Sequence, residues 1–469
     1  IAVVKKLIIL GFFFALLFRF YQFGQIPPGL NRDEASSGYT AYSLLKTGRD
    51  EYGHPWPLTI KSFGDWKLAG YIYTLIPFIS VFGLQDWVVR LPSALAGLGT
   101  IIVVYFLAKE MFASPRGHLR GEICRHLEGG GIGEAASLLL ALTPWHIHLS
   151  RAGYEANLAL LFFSTALLFF LRTKLLTSFF FFTLTLYTYH TYHLFTPLFL
   201  LCLILIYRKK LIKQKRSFLI ASSLFLLLGS VIFIQGLQAN LTKASGITFF
   251  TDPVFIHNQI NIPRSKTANP LIAKLIYNKP VVFSKTFFSN YLASFSPRFL
   301  VFQGGNHPVH NIPGIGNLLL ISYLFFFIGL WQLIQTRTEK KSLLLLSSLL
   351  ISPLASSLTI DAPSSVRLTP TLIPLTLISV LGMKTCWEKI KSSPSLIIAL
   401  IINLLVFSYS YFSRLPLERG QNWGAGYQDL VKYLNQPENQ NREIIMARPH
   451  YSPYIYFLFY QQYDPASFQ

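Results

Sequence analysis

Charge is what this sequence has least of. Asp, Glu, Lys and Arg make up 13% of its 469 residues, and the acidic share is the smaller: 20 Asp and Glu against 41 Lys and Arg. With 52% hydrophobic residues and a mean hydropathy of +0.43, a soluble chain of this length would expose far too much apolar surface. A soluble globular enzyme is therefore excluded. Cysteine is scarce as well. Cys124, Cys202 and Cys386 show no metal-ligand spacing, which excludes a disulfide framework and a zinc site. No basic, aromatic-studded soluble stretch accompanies the net charge of +21, so nucleic acid is not a partner. The excess matches the Lys and Arg that collect in cytoplasmic loops of membrane proteins.

Long apolar runs are what the chain has instead. "LIILGFFFALLFRFY" and "SLIIALIINLLVFSYSYF" are long enough, at 1.5 Å per residue, to cross a ~30 Å hydrocarbon core. The expected spans are 7–23, 91–108, 134–149, 158–171, 175–189, 194–207, 217–236, 315–335, 342–358, 368–383 and 394–412, about eleven in all. No A-x-A-like cleavage site follows the first, so it reads as a retained span. The connections "KEMFASPRGHLRGEICRH", "RTK", "RKKLIKQKR", "QTRTEKK" and "KTCWEKIK" then share the side of Lys5 and Lys6, which the positive-inside rule makes the cytoplasm. Segment 68–83, apolar but short and carrying Pro77, reads as an interfacial or re-entrant helix; a crossing there would put every later basic loop outside.

This parity brings Asp33, Glu34, Lys67, Arg90, Arg151, Glu155, His190, His193, Asp361 and Arg367 to one extracytoplasmic face. The long loop 237–314 and the tail from 413 lie on that side too. "GYQDLVKYLNQ" in the tail reads as an amphipathic helix and "EIIMARPHYSPYIYFLFYQQYD" as a strand and an aromatic segment, a small α/β module that runs out at the last residue. The first residue is Ile and the last residues are "YDPASFQ", which reads as a fragment. Segment 113–133 is unlike its apolar surroundings and receives no role.

"PPGLNRDEASSGY" carries the first constellation. Asn31 and Glu34 have capping-box spacing, with a short helix to follow that ends at Gly48. Capping accounts for Glu34 and leaves Asp33 unexplained at the helix start. Lys67 in "FGDWKLAG" has the look of an interfacial anchor, and Arg90 in "DWVVRLPSALAG" opposes the positive-inside trend. "TPWHIHLSRAGYEANLAL" packs His146, His148, Arg151 and Glu155 into one outer turn, where Arg151 and Glu155 have ion-pair spacing. "YTYHTYHLF" supplies His190 and His193, and "TIDAPSSVRLTP" supplies Asp361 and Arg367. Carboxylates and fixed cations at a lipid–water boundary suit a substrate with a lipid tail and an anionic head. Arg or Lys would hold its phosphate, and a carboxylate would take a proton from an acceptor hydroxyl.

An outer "DE" pair behind the first span, an aromatic-flanked Lys, "RLPSALAG" and "TPWHIHLSRAGYEANL", in that order, resemble the GT-C glycosyltransferases. Among them the bacterial relatives of the dolichyl-phosphate-mannose protein mannosyltransferases and the aminoarabinose lipid A transferases are the most similar. The resemblance covers roughly 1–412, where many relatives carry Lys-Pro-Pro or His-Pro-Pro in place of "DWKLAG". It implies an all-α polytopic GT-C fold with interfacial helices in a first outer loop, 27–90, and a further extracytoplasmic module over 413–469. It also implies a bacterial cytoplasmic membrane location. The implied activity is sugar transfer from a polyprenyl-phosphate donor to a hydroxyl of a protein, lipid or glycan. Asp33 then maps onto the catalytic base and Glu34 onto its neighbour, while Lys67 and Arg90 hold donor phosphate and Glu155 matches the acidic residue of the second outer loop. Arg151, His190 and Arg367 complete the expected substrate-binding set. No cofactor is required; should a divalent cation assist, Glu155 and His193 are the ligands to consider. The alternatives are a flippase for a lipid-linked sugar, which would place charges near the bilayer midplane in two related halves, and a glycan polymerase or ligase.

Overall fold

The computed structural model describes residues 2–112, 131–386, 394–439, 442–443, 445–446 and 452–469. Most of the odd segment 113–133, with Cys124, lies outside the described residues, as does the larger part of the strand expected after 442. The chain is mostly helical. From the N-terminus run α1 (Ala2–Phe20), α2 (Arg32–Thr47), the hairpin β1 (Thr59–Ser62) and β2 (Asp65–Leu68), α3 (Gly70–Phe82) and α4 (Asp86–Phe112). Then come α5 (Ile132–Leu142), α6 (Pro144–Ser150), α7 (Glu155–Leu171), α8 (Leu175–Thr188), α9 (Thr191–Lys213) and α10 (Lys215–Ile247). Later apolar helices are Leu320–Gln335, Lys340–Ile351, Leu372–Thr385 and Pro394–Tyr409.

Helix covers most of each expected span, with corrections: the one expected over 315–335 becomes helix only at Leu320, and the one over 342–358 breaks at Ser352 and Pro353. The span expected over 134–149 breaks at Thr143, whose backbone is extended (ψ 118°) ahead of Pro144. Proline disfavours a helical conformation in the residue before it but fits the first turn of the next helix, so α6 starts afresh. The chain then turns by 114° between α6 and α7. Among the described residues, three helical stretches are by themselves long and apolar enough to cross a membrane: Asp86–Phe112, Lys215–Gln235 and Ile398–Trp423. The bent pair of α6 and α7 passes the same test when taken together. The chain is a helical membrane protein.

The main core joins α1 and α4–α9 to Leu320–Gln335, Lys340–Ile351 and Leu372–Thr385. Two of these helices touch backbone to backbone at Gly329 and Gly382. A Cβ on Gly329 would overlap the Ile378 carbonyl, and one on Gly382 the Phe325 carbonyl, the small-residue contact typical of helices packed in lipid.

A second core builds the segment between α1 and α4. Tyr39 and Leu44 of α2, Ile60 of β1, Ile72 and Leu75 of α3 and Val88 of α4 share it with Ile455 and Phe459 of helix Tyr454–Tyr460. The tail thus folds back onto α2. Gly38 makes room for it, since a Cβ there would stand 2.6 Å from the Phe459 ring. Among the described residues the tail contributes helix and no strand. The hairpin pairs Ile60 with Lys67 and closes at Ser62 and Asp65. Its two turn residues, Phe63 and Gly64, have φ of 54° and 81°, the left-handed pair that a two-residue hairpin turn requires. Lys67 is therefore delivered by a strand, and the interfacial helix expected over 68–83 follows it as α3.

Candidate active site

Asn31 opens α2 as expected. Its Oδ1 accepts from the backbone N–H groups of Asp33 (2.9 Å) and Glu34 (3.0 Å), and Glu34 Oε2 accepts from the Asn31 N–H at 3.0 Å. Glu34 does far more than cap. It is 1% exposed, and its carboxylate also accepts from Arg90 Nε at 2.9 Å, Arg90 Nη2 at 3.2 Å and the Gly153 N–H at 2.8 Å. The pair joins α2 to α4 and to the α6–α7 turn.

The arginines expected to hold phosphate are placed differently. Arg90 is completely buried, and its remaining donors go to the carbonyls of Gly24, Pro27 (2.8 Å) and Gly29. Arg151 is completely buried too and donates to the carbonyls of Phe18 (2.9 Å), Gln22 (3.3 Å) and Ile26 (2.9 Å), with its guanidinium over the rings of Tyr411 and Phe412. Together they hold the end of α1 and its connection to α2 by backbone carbonyls. Arg151 thus turns toward that connection instead of forming the ion pair with Glu155 that their spacing suggests.

Asp33 faces the other way. One turn position from Glu34 is 100° of helix, so the first carboxylate points outward while the second is buried. Asp33 Oδ1 pairs with Lys67 Nζ at 2.9 Å, its side chain 60% exposed into a cavity of ≈ 170 Å³. Lys67 is itself mostly covered and lies over the Phe63 ring of its own hairpin turn. Enclosure pushes the Asp33 carboxyl upward, but the Lys67 charge and hydrogen bond, helped by Arg32 and His310, outweigh it and hold the group at about 2.

The cavity is lined by Arg32, Asp33, Tyr154, Glu155, Tyr189, His307 and His310, among others. Of the expected site residues, it gathers Asp33 and Glu155. Its roof is the loop 303–316, anchored where the Val309 carbonyl accepts from His148 Nε2 (2.8 Å) and the Tyr154 hydroxyl (2.6 Å). The rings of His307 and His310 stack there at 4.0 Å between centroids. Burial pushes both below the usual histidine range, most strongly His310, which His307 also repels. Sequence reasoning passed over Arg32, Tyr154, Tyr189, His307 and His310. The turn-rich run "GGNHPVHNIPG" was the available signal for the histidines.

Other expected residues brace the site without lining it. His190 Nε2 donates to the Trp66 carbonyl at 3.2 Å, steadying the strand that carries Lys67. His193 Nε2 donates to the Leu186 carbonyl at 2.7 Å, and its ring lies 5.3 Å from that of His190. Arg367 pairs with Asp361, next to Val366 on the cavity wall. Among the described residues no three His, Cys, Asp or Glu side chains converge closely enough to hold a metal ion.

Behind the hairpin lies an apolar groove of ≈ 240 Å³, lined by Leu186, Pro197, Phe225, Gly229, Ile232 and Phe233 among others. Leu68, the residue after Lys67, packs with Leu186 and Ile232 of this groove. On the other side, Glu51 is 2% exposed, with no hydrogen-bond partner for either carboxylate oxygen among the described residues. Burial pushes its carboxyl up to about 7 against the pull of Lys67.

No protein-family model and no curated protein sequence matches the chain. In three dimensions it is similar to ArnT from Cupriavidus metallidurans bound to undecaprenyl phosphate, with a TM-score of 0.57 and 12% identity over 97% of this chain and 84% of that one. It is also similar to the archaeal oligosaccharyltransferase AglB from Archaeoglobus fulgidus, in complex with an inhibitory peptide and a dolichol-phosphate. There the TM-score is 0.53 and the identity 12%, over 97% of this chain and 63% of that one. Both have the GT-C fold. At such identities the likeness is one of fold.

Proposed function

We propose that this chain, which has the GT-C fold, is a membrane glycosyltransferase that moves a sugar from a polyprenyl-phosphate donor to an acceptor hydroxyl. The observation that carries the proposal is the Asp33–Lys67 pair at 2.9 Å. It stands at the edge of a polar cavity, with an apolar groove behind the same hairpin. The two solved structures hold polyprenyl phosphates, the chemistry this juxtaposition suits. Lys67 takes the donor phosphate, the groove takes the start of the lipid tail, and the sugar enters the cavity.

In the resting pair Asp33 is ionised and therefore able to accept a proton, but Lys67 makes it a weak base. The donor phosphate competes for the ammonium, and as Lys67 turns to it the Asp33 carboxyl rises toward its ordinary range. Asp33 then takes the proton of the acceptor hydroxyl. The acceptor oxygen forms its bond to the anomeric carbon as the bond from that carbon to the phosphate oxygen breaks, and polyprenyl phosphate leaves on Lys67. Arg32, at the cavity wall, adds positive charge near the departing phosphate. Glu34 and Arg90 act by position: they fix the start of α2 and so the direction of Asp33.

The test is a mass spectrum of products formed by the purified chain from a panel of undecaprenyl-phosphate sugars with hydroxyl acceptors. Transfer that Asp33→Asn abolishes is expected. Transfer undiminished in both Asp33→Asn and Lys67→Gln would overturn the reading.

A further inference from the structure

Residues 253–294 separate the end of α10 from the loop that roofs the cavity, and their composition is one-sided. They contain Arg264, Lys266, Lys274, Lys279 and Lys285 and no Asp or Glu. All five cations are exposed. An outer-face loop gains nothing from this excess under the positive-inside trend, so the charge calls for a partner.

The same stretch exposes large apolar side chains in register with those cations. In helix Pro270–Ile276, Leu271 and Leu275 are each 72% exposed, with Ile272 and Ile276 beside them, while Ala273 on the opposite side is buried. Lys274 borders this stripe. In helix Lys279–Ala293, Val281, Lys285, Phe288 and Leu292 follow one another at spacings of four, three and four, and all are exposed. An apolar stripe bordered by lysines is the pattern of a helix lying in a bilayer interface, with its stems among acyl chains and its ammonium groups at the phosphates.

Position agrees with pattern. The segment leaves from α10, which includes the apolar run Lys215–Gln235. Its far end is tied to the end of another apolar helix: the Tyr291 hydroxyl donates to the Leu350 carbonyl at 2.8 Å, and Asn290 Nδ2 to the carbonyls of Ser357 and Thr359 at 3.2 Å each. Inward-facing Phe249, Phe255 and Phe283 cluster, with ring centroids 5.6–6.5 Å apart, and hold the short helices together as one plate.

We infer that residues 253–294 form an interfacial plate that binds anionic phospholipid headgroups of the leaflet next to the cavity. The occupant is chosen by charge: five cations against one carboxylate, that of Asp252, which caps the first short helix, select phosphates that lack a compensating amine over zwitterionic ones. Each basic residue at such a surface is worth about fivefold in partitioning. The plate continues into loop 303–316, so the lipid contact bears on the element that roofs the cavity.

Native mass spectrometry of the full chain in detergent, titrated separately with phosphatidylglycerol and phosphatidylcholine, reads the preference directly. At least tenfold tighter retention of phosphatidylglycerol is expected. R264Q/K266Q/K274Q/K279Q/K285Q should abolish the preference while leaving phosphatidylcholine retention unchanged. A nitroxide placed at Leu275 in phosphatidylglycerol-containing vesicles gives a second reading that needs no charge variant: oxygen should relax it and a water-soluble nickel chelate should not. Equal retention of the two lipids by the unaltered chain overturns the inference. So does a preference that survives the five substitutions, or a Leu275 label reached by the nickel chelate, which would leave the patch to a protein partner.

Discussion

Asp33 and Glu34 are adjacent in sequence and opposite in circumstance. Asp33→Asn keeps size and polarity but removes the proton acceptor, so turnover should fall by roughly 10²–10⁴. Binding of undecaprenyl phosphate, followed by native mass spectrometry, should survive, because Lys67 is intact. The ion pair itself is half-exposed, and its loss should cost little stability. Glu34→Gln is a different kind of change. Capping alone would make it mild, since Gln can close the box. In the folded chain it leaves the completely buried Arg90 guanidinium without its counter-charge, and such losses cost about 3–5 kcal/mol. The expected result is poor yield and a markedly lower melting temperature for Glu34→Gln, against an unchanged one for Asp33→Asn. Glu51 supplies a prediction with the opposite sign. Its folded-state carboxyl, raised to about 7 from 4.5, resists ionisation that the unfolded chain accepts. Its penalty is absent below about pH 4.5 and fully present above about pH 7. Glu51→Gln should therefore raise the melting temperature at pH 8 and scarcely change it at pH 4.

Among the elements, the helix pair Leu320–Gln335 and Leu372–Thr385 depends on two glycines. Gly382→Val would drive its side chain into the Phe325 carbonyl and force the helices apart. Overpacking of this kind costs about 1–3 kcal/mol or more; a lower melting temperature in detergent, with no change in the residual chemistry per folded molecule, is the expected outcome. The α2 helix was legible in full. Asn31, Glu34 and Gly48 are local signals that act through backbone hydrogen bonds within a few residues. The break at Thr143 was legible in principle from Pro144, but the hydrophobic run across it hid the boundary. The hairpin was missed because its strands are four residues each and only Phe63–Gly64 marks the turn. His307 and His310 were missed because their importance comes from standing over Asp33, far away along the chain.

For the whole molecule, cysteine-accessibility labelling should find 27–66, 253–312 and the tail after 415 on one side of the membrane and 208–216 on the other. A label at 208–216 on the same side as Asp33 would break the parity on which the shared face rests. Apolar runs were enough, without coordinates, to give a helical membrane protein; with the placement of Lys and Arg they yield the expectation that the candidate ionisable groups share one face. Those are one-dimensional properties, set by the cost of burying charge in hydrocarbon and by helix length. Which of the listed groups meet in space was decided by tertiary structure. Arg90 and Arg151 carry the same charge in sequence as Lys67, yet packing buries them against the carbonyls of residues 18–29 and leaves Lys67 to Asp33. The tail, read from sequence as a module of its own, became part of the α2 core because Gly38 leaves room for Phe459. A guanidinium's partners depend on which backbone groups are left unpaired nearby in three dimensions, and no local pattern along the chain records that.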